Sequence, residues 1–310
     1  MSIKLLNNKL IFVGDLKSIN LEIIAKSYYY LSKKKIKIIL IGDLIQIRDY
    51  FVKIRFKIKT LELFHIEDHL NYTNDSIFIF NIGSNLIEKS NLILNQIKIS
   101  NNLSKFHSYD LITMPIDKSI IKKKIQFNGV TEYLSRINKK NTYMLMKGNK
   151  FSIIPLTTHI RFKNILNRFN KLKFHQDLSN ILSIITHKHF HYNEIIILGI
   201  NPHAGENGTL GNEEIVMKKV IKKINRTTKL FKFKGPLSAD SAFQDTRPNQ
   251  LFISFYHDQA LIPFKIINNK SINQTIGLVY NRFSPTHGTA INIIFKNKSD
   301  NSSFIQCMLN

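Results

Sequence analysis

Short runs of apolar, largely β-branched residues recur along the chain and predict buried β-strands. The clearest runs, in chain order, are residues 10–13, 36–41, 77–82, 111–114, 143–146, 153–156, 195–198 and 251–255. Many of the stretches between them place apolar side chains at helical spacing, which predicts amphipathic helices between the strands. Two such faces consist of Leu21, Ile24 and Tyr28 and of Val216, Val220, Ile221 and Ile224.

Strands that alternate with helices in this way predict an α/β protein with mostly parallel sheets. The chain shows no internal repeat and no long linker. In such folds, ligands bind at the carboxyl ends of the strands, because the loops there converge on one edge of the sheet. We therefore expect the chemically important residues directly after the apolar runs.

Composition narrows the class of protein. The 310 residues include 43% hydrophobic ones, which is enough for a substantial core. Cys307 is the only cysteine, so no disulfide can form within the chain, and cysteine-based zinc sites are excluded. No run of 18 apolar residues exists, and the apolar run at the N-terminus is short and interrupted. We expect a soluble, cytoplasmic protein that does not bind membranes.

The formal net charge of +24 raises the question of nucleic-acid binding. The lysines are spread over the whole chain, and the longest basic runs, residues 33–35 and 122–124, are short and lack interleaved aromatic residues. This pattern predicts no specific nucleic-acid partner. The positive field would still attract small phosphorylated or carboxylated ligands.

Three histidines follow predicted strands and suggest a common site. His159 follows the strand at 153–156, His257 follows the strand at 251–255, and His203 lies in the segment GINPHAGENGTLG after the strand at 195–198. Three neutral imidazoles can bind a divalent ion and leave coordination positions open, as catalytic sites do. From this context alone, a metal site and ordinary structural histidines both remain possible.

Three other segments are weaker candidates. The cluster HKHFH at 187–191 precedes a strand, contains no Gly or Pro, and is interpreted as solvated. Residues 235–241 predict a turn followed by a helix start, with Ser238 or Asp240 as the N-cap. Residues 283–290 form a glycine-containing loop suited to a ribose or phosphate. The G-x-G-x-x-G fingerprint of dinucleotide-binding folds is absent.

Four motifs, NPHAGENGTLGNEE, GPLSADSAF, YHDQALIPFK and SPTHGTA, occur in this order. Together with TTH at 157–159, TMPIDKS at 113–119 and NGVTEYL at 128–134, they resemble the 4-hydroxythreonine-4-phosphate dehydrogenases of pyridoxal phosphate biosynthesis. The resemblance implies a two-lobed subunit similar to the isocitrate and isopropylmalate dehydrogenases. It places one lobe at 1–125 plus 283–310 and the other, with most metal and substrate ligands, at 126–282. It also implies a homodimer with the active site at the interface.

The resemblance assigns residues to roles. One divalent ion per site (zinc, cobalt or magnesium) is implied at His159, His203 and His257. Substrate binding is implied for Thr131, Lys265, Asn273 and Arg282. NAD or NADP binding is implied for His287, Gly288 and Thr289. Lys265 and Asp258 are the candidate catalytic residues, with Asp258 orienting an imidazole or relaying a proton.

The implied reaction is oxidation of 4-phosphohydroxy-L-threonine to a β-keto acid, which decarboxylates to 3-amino-2-oxopropyl phosphate. The chain departs from the family pattern at three places. Val130 precedes Thr131 where the family has histidine, the first loop at 14–20 has a single glycine, and Asp117 and Thr286 replace the commoner His and Asp. Alternatives are therefore a sister dehydrogenase acting on a threonate or erythronate phosphate and a degenerate, non-catalytic homologue.

Overall fold

The computed structural model describes residues 8–83, 88–122, 127, 129–188, 190–268 and 270–310. The strands within these residues are β1 (Lys9–Phe12), β2 (Ile38–Gly42), β3 (Thr60–Leu63), β4 (Ile77–Asn81), β5 (Asp110–Thr113), β6 (Tyr143–Gly148), β7 (Ser152–Pro155), β8 (Glu194–Leu198), β9 (Lys232–Leu237), β10 (Gln250–Ser254), β11 (Ser271–Ile276) and β12 (Arg282–Ser284). The α-helices there are α1 (Asn20–Lys33), α2 (Leu44–Lys53), α3 (Lys89–His107), α4 (Lys118–Lys122), α5 (Val130–Asn138), α6 (Lys171–His187), α7 (Glu213–Thr227), α8 (His257–Ile267) and α9 (Ser302–Leu309).

The chain forms two compact units, Met1–Asn138 with Leu278–Asn310, and Lys139–Gly277. In the first unit the strand order is β3-β4-β2-β1-β5-β12, and every neighbouring pair is parallel. Strands such as β1 and β2 are buried along their whole length, which explains why they are continuous apolar runs rather than alternating ones. One core cluster packs helix residues such as Ile93 and Leu134 against strand residues such as Phe12.

In the second unit the strand order is β11-β6-β7-β10-β8-β9. The pairs β7–β10, β10–β8 and β8–β9 are parallel, whereas β11–β6 and β6–β7 are antiparallel. Two core clusters include Ile253 and Phe252, which are neighbours on β10 and so point to opposite faces. The strands β7, β10 and β8 are therefore adjacent and parallel, and their carboxyl ends lie at one edge.

The predicted α/β class with mostly parallel sheets is confirmed. All the predicted apolar strands are present, as β1, β2, β4, β5, β6, β7, β8 and β10. The predicted faces of α1 and α7 are buried at Leu21, Ile24, Val220 and Ile224. The compact units divide after Asn138 and after Gly277, whereas the sequence expectation placed the lobe boundaries after residues 125 and 282.

The prediction for residues 235–241 is wrong. Gly235 to Leu237 belong to β9, and the residues that follow form turns rather than a helix. The amide of Ala242 donates to the carbonyl of Ser238, but the pattern does not continue into a helix. Pairing with β8 explains the difference, because the hydrogen bonds of a neighbouring strand stabilise an extended segment whose local sequence favours a turn.

Candidate active site

The segments that follow β7 and β10 remain hydrogen-bonded to each other beyond the strands. The amide of Leu156 donates to the carbonyl of Ser254 at 2.8 Å, and the amide of Thr157 donates to the carbonyl of Phe255 at 3.2 Å. The buried Thr157 hydroxyl donates to the same Phe255 oxygen at 2.6 Å. Because of this extension of the parallel ladder, the two segments run side by side toward His159 and His257.

His159 and His257 lie close together at the end of this ladder. Their ring centroids are 5.8 Å apart, and the ring planes are inclined by 44°. His257 is the first residue of α8, and its Nδ1 lies 2.7 Å from Oδ1 of Asp258. A carboxylate accepts the Nδ1 proton and leaves Nε2 as the nitrogen that can ligate a metal ion.

Asp258 is suited to orient the His257 ring. The hydrogen bond with His257 holds the pKa of the Asp258 carboxyl below its usual value, and the Tyr256 hydroxyl and the Lys265 ammonium act in the same direction. The Tyr256 hydroxyl donates to the second carboxylate oxygen at 3.2 Å. Asp258 is therefore an anion at neutral pH, with one oxygen on the imidazole and the other on the phenol.

His203 follows β8 and lies in a turn of unusual conformation. The turn comprises Pro202–Gly208, and its residues 203–207 all have positive φ, between 44° and 76°. Four of these five residues carry a side chain, and the left-handed conformation costs about 1–2 kcal/mol for each such residue. A backbone of this kind persists only where surrounding contacts offset the strain.

Glu214, in the first turn of α7, supplies contacts to this turn. It is 2% exposed, and its Oε1 accepts the amides of Ile200 at 2.8 Å and of Asn201 at 2.7 Å. Its Oε2 accepts the side-chain amide of Asn201 at 3.0 Å. Burial raises the pKa of the Glu214 carboxyl, but the hydrogen bonds from Asn201 and Ile200 outweigh burial and lower the pKa overall.

Gly205 lies against the same carboxylate, in the middle of the turn. A Cβ added at Gly205 would lie 2.5 Å from Oε2 of Glu214, and the φ of +76° is one that glycine adopts without strain. A second contact, from α8, reaches the segment that leads into the turn, where the Gln259 side-chain amide donates to the carbonyl of Gly199 at 2.8 Å. The turn is thus tied both to α7 and to the helix that begins with His257.

The His203 ring itself is exposed. Its side chain is 64% exposed, and Nδ1 lies 2.8 Å from Oε1 of Glu206. This hydrogen bond raises the pKa of His203, and the carboxylate of Asp240 adds to the effect. His203 therefore has the same carboxylate–imidazole arrangement as His257, with Nε2 as the nitrogen available to a ligand.

The described part of the chain brings two of the three predicted metal ligands, His159 and His257, close together. His159 and His257 face each other, but no group of three or more His, Cys, Asp or Glu side chains there could hold a metal ion. The donor set that is present suits a borderline divalent ion, because imidazole is a preferred ligand of zinc and cobalt. The pair thus fits part of the predicted site.

Lys265 and Asn273, the predicted substrate ligands of the second unit, lie on α8 and β11. Lys265 is exposed in the last turn of α8. Asn273 is opposite Met146 in the β11–β6 ladder, and its side-chain oxygen is buried without a partner among the described residues. A buried amide oxygen without a hydrogen bond is costly, and a bound donor would relieve that cost.

Arg282 and Thr131, the predicted substrate ligands of the first unit, contact each other. Nη1 of Arg282 donates to the Thr131 hydroxyl at 3.1 Å, and its Nε donates to the Thr113 hydroxyl at 2.9 Å. Burial lowers the pKa of the Arg282 guanidinium to about 10, so it stays cationic at neutral pH. Thr113 ends β5 and was not predicted as a site residue, although it opens the motif TMPIDKS.

The predicted cofactor loop is held by its neighbours in the first unit. The amide of Thr286 donates to the Ser303 hydroxyl at 3.0 Å, and the carbonyl of Thr289 accepts the amide of Ile19 at 3.2 Å. Burial lowers the pKa of His287, and its Nε2 is buried without a partner among the described residues. A Cβ at Gly288 would meet nothing within 4 Å, so the backbone there is open to close approach.

The first loop has a compact conformation despite its single glycine. Gly14 has a φ of +73°, and a Cβ there would lie 2.4 Å from the carbonyl oxygen of Pro115. The Asn20 side chain donates to the carbonyls of Val13 at 3.0 Å and Pro115 at 2.8 Å. The buried Asp15 pairs with Lys89 at 2.9 Å. Polar side chains thus hold this loop.

Three residues that contact the candidate site were not identified from the sequence: Thr113, Glu214 and Gln259. Glu214 and Gln259 lie inside the quoted motifs NPHAGENGTLGNEE and YHDQALIPFK, but they contact backbone groups at the start of the His203 segment: Ile200 and Asn201 for Glu214, and Gly199 for Gln259. Tertiary contacts of this kind leave no periodic pattern in the sequence. In the HKHFH segment, His187 and His191 are exposed, and His189 lies outside the described residues.

None of the helices in the described ranges combines the length and the hydrophobicity that crossing a bilayer requires.

Comparison with solved structures supports the fold. The 4-hydroxythreonine-4-phosphate dehydrogenase from Klebsiella pneumoniae superimposes with a TM-score of 0.82, at 22% identity over 98% of each chain. A terephthalate 1,2-cis-dihydrodiol dehydrogenase from Burkholderia xenovorans LB400 superimposes with a TM-score of 0.64, at 20% identity over 97% of this chain and 96% of that one. At these identities the likeness concerns the fold alone.

Comparison with curated sequences identifies the family. The 4-hydroxythreonine-4-phosphate dehydrogenase of Aquifex aeolicus is 38% identical over 205 residues, which are 64% of this chain and 63% of that protein. The enzyme of the same name from a Sulfurihydrogenibium species is 30% identical over 312 residues, 96% of this chain and 95% of that protein. The family profile described as "Pyridoxal phosphate biosynthetic protein PdxA" matches residues 21–309. The chain therefore belongs to the PdxA family of pyridoxal phosphate biosynthetic proteins.

Proposed function

We propose that this protein is an NAD(P)-dependent 4-hydroxythreonine-4-phosphate dehydrogenase. It oxidises 4-phosphohydroxy-L-threonine to a β-keto acid, which loses CO₂ to give 3-amino-2-oxopropyl phosphate. Family membership supports the reaction class, because the relatives named above carry this activity in their names. The observation that carries the proposal is the His159–His257 pair, with rings 5.8 Å apart at the carboxyl ends of neighbouring parallel strands.

The two imidazoles are the core of the proposed metal site, and His203 is its third ligand, with the active site at the interface of a homodimer. A divalent cation held there would polarise the substrate hydroxyl and stabilise the negative charge that develops on its oxygen. Asp258 keeps the Nδ1 proton on His257 and so directs Nε2 toward the ligand position. Glu206 does the same for His203.

Substrate recognition is assigned to cations and hydroxyls. Arg282 is a buried cation whose guanidinium is oriented by Thr113 and Thr131, and charge-assisted hydrogen bonds from such a group suit a phosphate or carboxylate. Lys265 provides a second, exposed cation, and Asn273 provides a buried amide oxygen as an acceptor. The substrate carries phosphate, carboxylate, hydroxyl and amino groups, so this set of donors and acceptors is complementary to it.

The loop with His287, Gly288 and Thr289 is assigned to the dinucleotide. A bound nicotinamide cofactor supplies the acceptor for the hydride that leaves the substrate carbon. The open backbone at Gly288 admits a ligand closely, and the buried Nε2 of His287, which has no partner among the described residues, offers a hydrogen-bonding group to it. Comparing turnover with NAD and with NADP in the absorbance assay identifies the cofactor that the protein uses.

A sister activity on a threonate or erythronate phosphate is the second candidate, and Val130 favours it. Val130 begins α5 and packs against the core cluster of the first unit, so it offers no hydrogen bond beside Thr131. Loss of one hydrogen bond to a charged ligand costs about 1.5–3 kcal/mol, which is enough to change the ranking of related substrates. A substrate without the amino group would be affected differently from the phosphohydroxythreonine.

Steady-state oxidation of each candidate substrate, followed by NADH or NADPH absorbance, tests the proposal. The protein is stripped of metal with a chelator and then reloaded with zinc, cobalt or magnesium. We expect metal-dependent turnover of 4-phosphohydroxy-L-threonine. Turnover of a sugar-acid phosphate alone would select the second candidate. Turnover of no substrate above a His257→Ala control, despite bound metal, would show a non-catalytic homologue and reject both.

A further inference from the structure

The left-handed turn at residues 203–207 depends on one buried carboxylate from another element. The hydrogen bonds of Glu214 go to the two residues that lead into the turn, Ile200 and Asn201. Asn201 has φ −88° and ψ 157°, so it is the last extended residue before the backbone adopts the left-handed conformation. The carboxylate therefore sets the direction in which the chain enters the turn.

The same carboxylate also limits the middle of the turn. Gly205 lies so close that a Cβ there would be 2.5 Å from Oε2 of Glu214. His203 lies between these two points of contact, with no buried side-chain anchor of its own, because its ring is 64% exposed. The backbone on both sides of His203 is thus held by Glu214, while the imidazole stays accessible to a ligand.

We infer that Glu214 is a positioning residue, which holds the strained turn so that His203 presents Nε2 to the metal ion. The inference rests on the proposed function for the role of His203 as a ligand, whereas the role of Glu214 in the turn can be tested independently. Gln259 supports the same arrangement, since it joins Gly199 at the start of this segment to the helix that begins with His257.

The chain offers a matched control in the neighbouring residue. Glu213 has the same charge, lies in the same first turn of α7, and accepts the same Asn201 side-chain amide at 2.9 Å. The backbone amides of Ile200 and Asn201, however, donate to Glu214, at 2.8 and 2.7 Å. Glu214→Gln and Glu213→Gln thus remove equal charge and differ in the contact to the turn.

Metal affinity and amide exchange are the readouts, measured on the full-length protein with Co²⁺ as the probe ion. In Glu214→Gln, the new NH₂ group faces the Asn201 amide, so two donors meet where a donor and an acceptor met before. We expect Co²⁺ affinity to fall roughly 10–100-fold, as for other residues that orient ligands. Hydrogen exchange should accelerate within residues 199–211 and not in the rest of the unit.

Glu213→Gln should leave both readouts near the wild-type values. Equal losses in the two variants, or a wild-type affinity in Glu214→Gln, would overturn the inference. So would faster exchange throughout the second unit with unchanged affinity, because that result indicates a merely structural role. Wild-type protein that binds no Co²⁺ would instead reject the proposed metal site, and exchange within 199–211 would still decide whether Glu214 holds the turn.

If Glu214→Gln does not fold, the wild-type protein decides the question. Amide exchange resolved to single residues should be slowest at Ile200 and Asn201 within residues 200–211, since their amides bind a buried carboxylate. Exchange at these two amides as fast as at Asn207 would show that Glu214 does not hold the entry to the turn.

Discussion

His257 and His203 follow neighbouring parallel strands but are held by different kinds of backbone. The segment before His257 is held by the β7–β10 ladder, which continues to Phe255, and His257 then begins α8. The segment around His203 leaves its strand and turns left-handed for five residues. The first arrangement uses conformations that any residue adopts, whereas the second depends on glycine and on a few polar contacts.

This difference has an energetic consequence. The ladder distributes its stabilisation over many hydrogen bonds, so loss of one bond costs little and leaves the geometry in place. The turn concentrates its stabilisation in Glu214, Asn201 and Gly205, so one substitution there changes both stability and geometry. In the proposed metal site, the histidine pair is thus the robust part, and His203 is the sensitive part.

The largest effect is expected from His257→Ala, which removes one ring of the pair. Loss of a ligand should exceed the loss caused by residues that only orient ligands, so metal affinity and kcat/KM should each fall at least about 100-fold. Metal analysis after dialysis and the dehydrogenase assay measure the two quantities. His191→Ala, an exposed histidine in the second unit, is the control. Full metal content in His257→Ala would contradict the assignment of this ligand.

Gly205→Ala should produce the next largest effect, through the turn. The new Cβ would lie 2.5 Å from Glu214, and alanine disfavours a φ of +76°. We expect a loss of about 1–3 kcal/mol in the free energy of unfolding, measured by urea titration. Gly83→Ala is the control, because a Cβ at Gly83 meets nothing within 4 Å. An equal free energy in both variants would mean that the turn relaxes without cost.

The two carboxylate–imidazole pairs should respond unequally to loss of charge. Asp258→Asn and Glu206→Gln each replace the acceptor of an Nδ1 proton, at 2.7 Å from His257 and 2.8 Å from His203. The His257 side chain is 27% exposed and the His203 side chain 64%, so the second pair is better screened by water. We expect Asp258→Asn to weaken metal affinity about tenfold and Glu206→Gln less.

Calorimetric titration with the same metal ion measures both affinities. An unchanged affinity and an unchanged turnover rate in Asp258→Asn would remove the assigned orienting role of Asp258. A larger loss in Glu206→Gln than in Asp258→Asn would reverse the ranking of the two pairs and indicate that the turn, rather than the ladder, limits metal binding.

Thr157→Val should have the smallest effect. The substitution removes the hydroxyl that donates to Phe255 at 2.6 Å, but the Thr157 amide still donates to the same oxygen. We expect the free energy of unfolding to fall by about 0.5–1.5 kcal/mol, with little change in metal affinity. Thr227→Val, which removes a comparable hydroxyl-to-carbonyl bond at the end of α7, is the control for a position away from the histidines. A large loss of metal affinity in Thr157→Val alone would show that the ladder is as sensitive as the turn.

Two of the strands that the sequence did not predict, β9 and β11, share a physical cause. Four of the six residues in 271–276, SINQTI, are polar, and the segment becomes β11 because it pairs along its whole length with the largely apolar β6. Residues 232–237 contain Gly and Pro, which locally favour a turn, and they become β9 beside β8. Stabilisation from a neighbouring strand is a long-range effect, and local propensity does not contain it.

The apolar runs, and the Gly, Pro and Asp residues that end them, by themselves determined the positions of most strands. They placed the buried strands that precede His159, His203 and His257, because an apolar segment must be buried wherever the chain folds. The tertiary structure alone decided which side chains meet. It set His159 beside His257, and it set Glu214 beneath the turn that carries His203. The first contact joins residues far apart in the chain and depends on the strand order, whereas the second joins the start of α7 to the loop just before it and depends on the loop conformation.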